Sequence, residues 1–549
     1  MKPTRRAPRW RQATKHLLAG LLIAGALVHG RAFAEAAGTA SSPAGTAPSS
    51  KPTATTKPVS YAGVASPAPA ATPTPLFTYY GVIREYYFGR TNGDTCLTCT
   101  PKGSPNATAF NSGGELHGQI NIPHTPFALG ATYFGAYPFG ANWPGPLNNI
   151  GYNPEVDNSV PGYPLSIFGE TYLQYKTAGT FFQTGKEVLK ASMSPWTPPS
   201  DTRITPESFQ GTLISTNPTP DLSIGAMYMA RFRSRVTSAF NSNTLLTSCN
   251  VANPTGKGPV EGVKGTFTVP GDSCYKQETT YGFSEFSLGY IFGNTGLVAN
   301  AYQYEMYNIA SMTWLTAQYN FDKHSILNPF VSGHFFAENN LGTAVVGTVH
   351  NYTGGGLIGA NVYHNVTLSV GYDGSPATRY VVPLKDCKGT PSAPASPSPG
   401  VIFGGVADTS DKNVPKGDVA CYGGGLASPY TVGYTSDPLY TTSLTQGMPE
   451  VLKPGTAVKA VLGWQSDNRR IRAYASDAWY NYSLPGSIKG VGNGDARAEF
   501  DLDAWFYFNP VPTSGPYKGL SLRQRYGDRT QPFAPFEFKS SRTQLEYDF

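Results

Sequence analysis

The sequence predicts an all-β protein, a transmembrane antiparallel up-and-down β-barrel of about 18 strands (16–18). Three observations predict it. The N-terminus is built for export, with no later apolar stretch long enough for a membrane helix. Strand-like runs alternate too regularly, and run too long, for a soluble sheet. The chain also ends on an aromatic residue at strand spacing.

Export comes first. The formal charge of the 549-residue chain is +6, but residues 1–34 hold seven basic residues (Lys2, Arg5, Arg6, Arg9, Arg11, Lys15, Arg31) and no acid. Without them, 34 basic residues face 35 acidic ones, a balance that gives no reason to expect a nucleic-acid partner. The basic stretch precedes a short apolar run, Leu17 to Gly30, and Ala32-Phe33-Ala34 supplies a small-x-small cleavage pattern. Residues 1–34 therefore read as a cleaved signal peptide, with Glu35 as the first mature residue. No later stretch offers the ~18 consecutive apolar residues of a membrane helix. Residues 35–75 are dominated by Ala, Pro, Ser, Thr and Gly, which cannot bury enough apolar surface to offset their ordering entropy. They read as a disordered linker, and residues 76–549 as the barrel with its extracellular loops.

The strands supply the second observation. In Arg497 to Phe508 the odd positions Arg497, Glu499, Asp501 and Asp503 are charged, while Ala498, Phe500, Leu502, Ala504, Phe506 and Phe508 are apolar. Successive strand side chains point to opposite faces, so this run has one charged and one apolar wall. Its length is close to the roughly 9–11 residues of a tilted membrane strand. Similar runs occur at 281–292, 298–307 and 366–372. Turns such as Gly293-Asn294-Thr295-Gly296 are expected on the periplasmic side, and the insertions 237–277 and 384–440 outside the cell. The 34 Tyr, 29 Phe and 7 Trp suit aromatic girdles at the two membrane interfaces.

The C-terminus is the third. Leu545, Tyr547 and Phe549 alternate with Gln544, Glu546 and Asp548. Tyr547 and the terminal Phe549 resemble a barrel-assembly signal, which makes the assembly machinery of a Gram-negative outer membrane an expected partner during biogenesis.

Six cysteines in an exported chain suggest disulfides. Sequence order offers Cys96–Cys99, Cys249–Cys274 and Cys387–Cys421 among the fifteen possible pairings. Cys96-Leu97-Thr98-Cys99 has neither a following His nor a second such pair, so a stapled loop is preferred to haem or metal.

Arginines carry the functional reading. Arg231, Arg233 and Arg235 would share one face of a regular strand, and arginine against lipid is costly, so that face is expected in the lumen. There the guanidinium groups could pass an anion along by successive bidentate contacts; the alternative is a rim cluster paired with acids. Arg523 with Arg525, Arg470 with Arg472, and Arg84 with Arg90 repeat the same-parity pattern. Glu499, Asp501 and Asp503 form a candidate acidic lumen wall, either opposing the arginines or ion-paired with them. The six histidines after the signal lie in no recognised hydrolase motif.

Three segments resemble the OprD family of outer-membrane porins: Gly81 to Arg90, Gly185 to Lys190 followed by Pro195, and Asp201 to Gly211. The last contains Asp201-Thr202-Arg203-Ile204-Thr205-Pro206, similar to the family's Asp-x-Arg-x-x-Pro signature. The resemblance implies an 18-stranded monomer whose inward-folded loops form an eyelet beside a ladder of basic side chains. It puts Asp201, Arg203 and Pro206 at a constriction loop, with Asp201 and Arg203 either touching solute or anchoring the loop. The expected function is passive, partly selective diffusion of small carboxylate-bearing solutes across the outer membrane, without cofactor or metal. The alternatives are a plugged structural or adhesive barrel, and a barrel hydrolase.

Overall fold

A computed structural model describes residues 75–92, 107–139, 160–161, 164–197, 203–233, 281–321, 327–342, 349–363, 365–376, 378–383, 411–422, 438–444, 455–482, 496–512, 515–530 and 538–549, with a few shorter pieces of the loops between them. The expected signal peptide and nearly all of the linker lie outside the described residues.

The first seven strands are β1 (Phe77–Asn92), β2 (Ala107–Asn121), β3 (Phe127–Pro138), β4 (Leu165–Lys176), β5 (Thr180–Glu187), β6 (Ser208–Thr219) and β7 (Leu222–Arg233). After the small hairpin β8 (Lys257–Pro259) and β9 (Thr266–Thr268) come β10 (Phe283–Ile291), β11 (Leu297–Met306), β12 (Ala310–Asn320), β13 (Phe330–Asn340), β14 (His350–Tyr363) and β15 (Val366–Ser375). A three-stranded sheet follows, made of β16 (Arg379–Pro383), β17 (Val406–Asp408) and β18 (Asp418–Tyr422). The chain ends with β19 (Gly455–Gln465), β20 (Ile471–Tyr482), β21 (Ala496–Tyr507), β22 (Gly519–Thr530) and β23 (Phe538–Asp548).

Leaving out β8, β9 and β16–β18, the strands form one 18-stranded sheet in which each pairs antiparallel with its neighbours in the chain. β23 returns to pair with β1 from Val82 opposite Asp548 to Asn92 opposite Phe538, so the sheet closes on itself. Closure satisfies every ladder and removes the edges that lipid could not solvate. The strand count is at the top of the expected range.

Short turns and long loops alternate around the barrel. One end carries turns such as 177–179 and 220–221, and the 3₁₀ turn Gly293–Thr295. The other end carries most of the long connections, among them 234–282 and 376–454. On the outer wall, Ile83, Leu116, Leu129, Leu288, Leu315, Ile358 and Val370 are exposed. Toward the short-turn end they are flanked by Phe77, Tyr79, Phe292, Phe321 and Tyr363, and toward the other end by Tyr87, Tyr137, Tyr228 and Tyr352. An apolar band between two aromatic girdles is the surface a lipid bilayer requires.

The terminal aromatic is part of the closure. Phe549 and Gly81 exchange backbone hydrogen bonds of 3.0 and 3.2 Å. A side chain at Gly81 would collide with the Phe549 ring. Gly81→Val should therefore lower the yield of heat-modifiable, closed barrel on refolding, whereas Gly118→Ala, where an added Cβ has 3.5 Å of clearance, should leave it unchanged.

Of the cysteines only Cys421 is described. It is buried on β18, disulfide-bonded to a partner outside the described residues, with its Sγ 3.2 Å from the Tyr380 hydroxyl. The expected pairs Cys96–Cys99 and Cys249–Cys274 lie wholly outside the described residues.

Candidate functional site

Register determines which side chains face the lumen. The outer faces of β1 and β23 carry Ile83 and Tyr87, Leu545 and Tyr547, so Arg84 and Arg542 point inward. In β22 the paired register sets Arg525 opposite Arg542 and Arg523 opposite Gln544, and Arg529 shares their parity. Arg84, Arg523, Arg525, Arg529 and Arg542 thus form one basic sector on three adjacent strands.

The acids of β21 stand beside this sector. Asp503 receives two hydrogen bonds from Arg523, Nε to Oδ1 at 2.9 Å and Nη2 to Oδ2 at 2.6 Å. The Arg525 Nε lies 3.2 Å from the same carboxylate. Glu499 pairs with Arg529 at 3.2 Å, while Asp501 accepts the Leu444 amide at 2.9 Å. Arg84 sits between Glu115 at 2.7 Å and Glu546 at 2.5 Å. The Arg523 guanidinium lies 3.9 Å above the Trp505 ring. Of the two arrangements expected for these acids, the geometry is the ion-paired one for Glu499 and Asp503: with Asp501 they occupy the strand next to the arginines, where neighbouring inward positions of β21 and β22 are the closest partners for unlike charges.

The remaining sequence candidates separate. Arg472 is on β20, opposite Trp505, and Arg470 lies in the preceding turn. The backbone of Arg90 pairs with Ala107 and Ser540, and its side chain is outside the described residues. Arg231, Arg233 and Arg235 do not form an unbroken ladder. Gln210 pairs with Arg231 but Gly211 pairs with Met229, so Ala230 is an extra residue in β7 and the alternation shifts there. Phe232 turns into the apolar interior, Arg231 is exposed, and Arg233 and Arg235 are buried. Arg233 donates to Ser208 Oγ at 2.9 Å and to the Pro206 carbonyl, and Thr205 Oγ1 donates to the Arg235 carbonyl at 2.8 Å. These two arginines hold the exit of the 188–207 connection.

That connection, between β5 and β6, folds inward. Its Trp196 ring packs 5.3 Å from Phe336 of β13, and Ser194 Oγ lies 3.3 Å from the Tyr304 hydroxyl of β11. At its other end Arg203 donates to the Tyr86 hydroxyl of β1 at 2.6 Å, and its guanidinium lies 5.4 Å from the Phe88 ring. β1 and β13 are far apart around the sheet, so the described pieces of this connection, 188–197 and 203–207, dock on widely separated parts of the inner wall. Arg203 is buried and Pro206 is partly buried; Asp201 is outside the described residues.

A second inward segment, 438–444, was not foreseen; the sequence reading placed the connection up to residue 440 outside the cell. The Tyr440 ring stacks on His334 of β13 at 4.1 Å, and its hydroxyl lies 2.6 Å from Ser332 Oγ. Lys459 of β19 donates to the Thr442 carbonyl, and Ser443 meets the Tyr480 hydroxyl on β20. Arg542 of β23 reaches the Leu444 carbonyl at 3.5 Å and covers the Phe88 ring at 5.2 Å. From β13 to β23 is seven strand spacings, an arc of about 34 Å. Tyr440 to Leu444 spans at most about 14 Å. The segment therefore runs as a chord inside the wall, with long side chains spanning the gaps.

Between the segments and β6–β13 lies the largest apolar cluster of the described residues. Tyr302, Trp314 and Phe336 stack at 4.5 and 5.3 Å, packed with Met227, Met229, Met306, Met312, Leu189 and Leu439. Buried Glu285, Gln318, His334 and Glu338 lie on the same strands, whereas Arg84, Arg523, Arg525, Arg529 and Arg542 gather on β1, β22 and β23. Sequence reading missed Arg529 and Arg542, although parity with Arg525 and Glu546 marked both. It also missed His334, Asp373 and Tyr440, whose roles depend on loop docking.

A closed 18-stranded barrel with an apolar outer band and a charged, loop-narrowed interior defines a transmembrane barrel of the outer-membrane type. Neither a protein-family model nor a curated protein sequence matches this chain. Solved structures do match it. OpdK from Pseudomonas aeruginosa with vanillate superposes with a TM-score of 0.59 at 12% identity, covering 86% of this chain and 98% of that one. OccAB3 from Acinetobacter baumannii gives 0.58 at 15% identity, covering 86% and 99%, and OccK2 (OpdF) from P. aeruginosa with glucuronate gives 0.56 at 12%, covering 86% and 96%. What this chain shares with them is the fold, an 18-stranded outer-membrane barrel.

Proposed function

We propose that this protein is an outer-membrane channel that admits small carboxylate-bearing solutes by passive diffusion along the arginine sector. The observation that carries the reading is the placement of Arg84, Arg523, Arg525, Arg529 and Arg542 on three adjacent lumen strands, with Arg84 and Arg542 reaching the two inward segments. A guanidinium offers paired donors that match a carboxylate, and stays charged at every physiological pH. Partial pairing with Asp503, Glu499, Glu115 and Glu546 favours transit, because a solute exchanges with a built-in carboxylate instead of being trapped. Two of the similar structures hold carboxylate-bearing solutes, vanillate in OpdK and glucuronate in OccK2, which supports the same solute class here.

Liposome swelling tests this directly. Vesicles containing the purified barrel should swell faster in sodium glucuronate than in isosmotic glucose, two solutes of nearly equal size. Equal rates would remove the carboxylate preference, and rates no higher than in protein-free vesicles would remove the channel.

A further inference from the structure

We propose that His334 and Asp373 are positioning residues that set the aperture of the channel, by clamping 438–444 in its chord across the lumen; this rests on the channel reading above. Both side chains are wholly buried on the inner wall, His334 on β13 and Asp373 on β15. His334 Nε2 donates to Asp373 Oδ1 at 2.7 Å. The other carboxylate oxygen accepts two hydrogen bonds from a single residue of the segment, Thr441 N at 2.8 Å and Thr441 Oγ1 at 2.6 Å. The imidazole face then carries the Tyr440 ring at 4.1 Å with an interplanar angle of 6°. Two adjacent segment residues are thus held by one buried pair, one through hydrogen bonds and one through ring stacking.

The wall is shaped for this contact. The pair passes over β14 at Gly355, where any side chain would collide with Asp373 Oδ1 and His334 Nε2. Gly371 on β15 leaves room for the segment itself, since an added Cβ would lie 2.8 Å from both the Tyr440 Cβ and the Tyr440 carbonyl oxygen. His334 Nδ1 has no hydrogen-bond partner among the described residues. Among the described residues the imidazole is held by the Asp373 bond and its packing, and its orientation depends on that carboxylate. From this clamp the chain runs through Lys459 and Asp501 to Arg542, so the clamp determines how far the Leu444 carbonyl stands from the basic sector.

The test combines single-channel recording with hydrogen exchange on the full-length barrel, for wild type, His334→Ala, His334→Gln, Asp373→Ala and Thr441→Val. Heat-modifiable mobility identifies folded protein, and Thr441→Val, which changes a loop residue alone, serves if the wall variants fail to fold. Release of the clamp should raise unit conductance about twofold or more, add open-level noise, and speed amide exchange across 438–444. His334→Gln keeps a donor toward Asp373 and should restore part of the wild-type behaviour. Folded variants with wild-type conductance would overturn the inference and leave the channel standing. Unchanged exchange across 438–444 would overturn it equally. A wild-type barrel that never opens would instead overturn the channel reading, and the aperture role with it.

Discussion

Asp503→Asn and the pair Arg523→Ala/Arg525→Ala should move ion selectivity in opposite directions. Asp503 is shared by both guanidinium groups, at 2.6–2.9 Å from Arg523 and 3.2 Å from Arg525. All three side chains are nearly buried, so screening by bulk solvent is weak. Neutralising Asp503 leaves two cations facing the passage without their built-in anion. A charge-assisted hydrogen bond contributes about 1.5–3 kcal/mol. Block of the current by a monocarboxylate should therefore strengthen about tenfold or more in Asp503→Asn, and chloride permeability should rise. Removing the two arginines leaves Asp503 alone and should shift permeability toward potassium. Opposite shifts from one ion-paired cluster cannot be produced by general loosening of the barrel. Reversal potentials across a salt gradient provide the check.

The second large effect is expected from the 188–207 connection. Trp196→Ala with Arg203→Ala removes a principal contact at each end, the packing on Phe336 and the bond to Tyr86. Truncation of a buried tryptophan costs about 3–5 kcal/mol, and loss of the Arg203 bond adds to it. The ladder hydrogen bonds of the 18 strands are untouched, so the barrel should still fold and keep its heat-modifiable mobility. The loop should leave its docked position, unit conductance should rise severalfold, and discrimination between glucose and glucuronate should fall. Single-channel recording with liposome swelling measures both.

How much was legible in the sequence follows from what each feature depends on. The alternation in 497–508 depends on the strand period alone, and β21 has its acids inward and Phe506 outward as that period requires. The closing role of Phe549 was legible for the same reason. Arg231, Arg233 and Arg235 obey the same parity rule on paper, but Ala230 is inserted at a bulge, and no periodicity reports one extra residue. The placement of Asp503 beside Arg525 depends on register between β21 and β22, which two separate strand patterns do not reveal. The clamp needs still more: His334, Gly355, Asp373 and Thr441 lie on four segments, and only docking of a loop into the barrel brings them together.

The most direct test of the central claim is interruption of single-channel current by benzoate, a small monocarboxylate, comparing wild type with Arg84→Ala/Arg523→Ala/Arg525→Ala/Arg542→Ala. The arginine-sector account predicts discrete, concentration-dependent interruptions in the wild type. In the folded variant those interruptions should be lost or shortened about tenfold. Interruptions of equal frequency and duration in both proteins would contradict it, and would place the path of the solute elsewhere in the lumen.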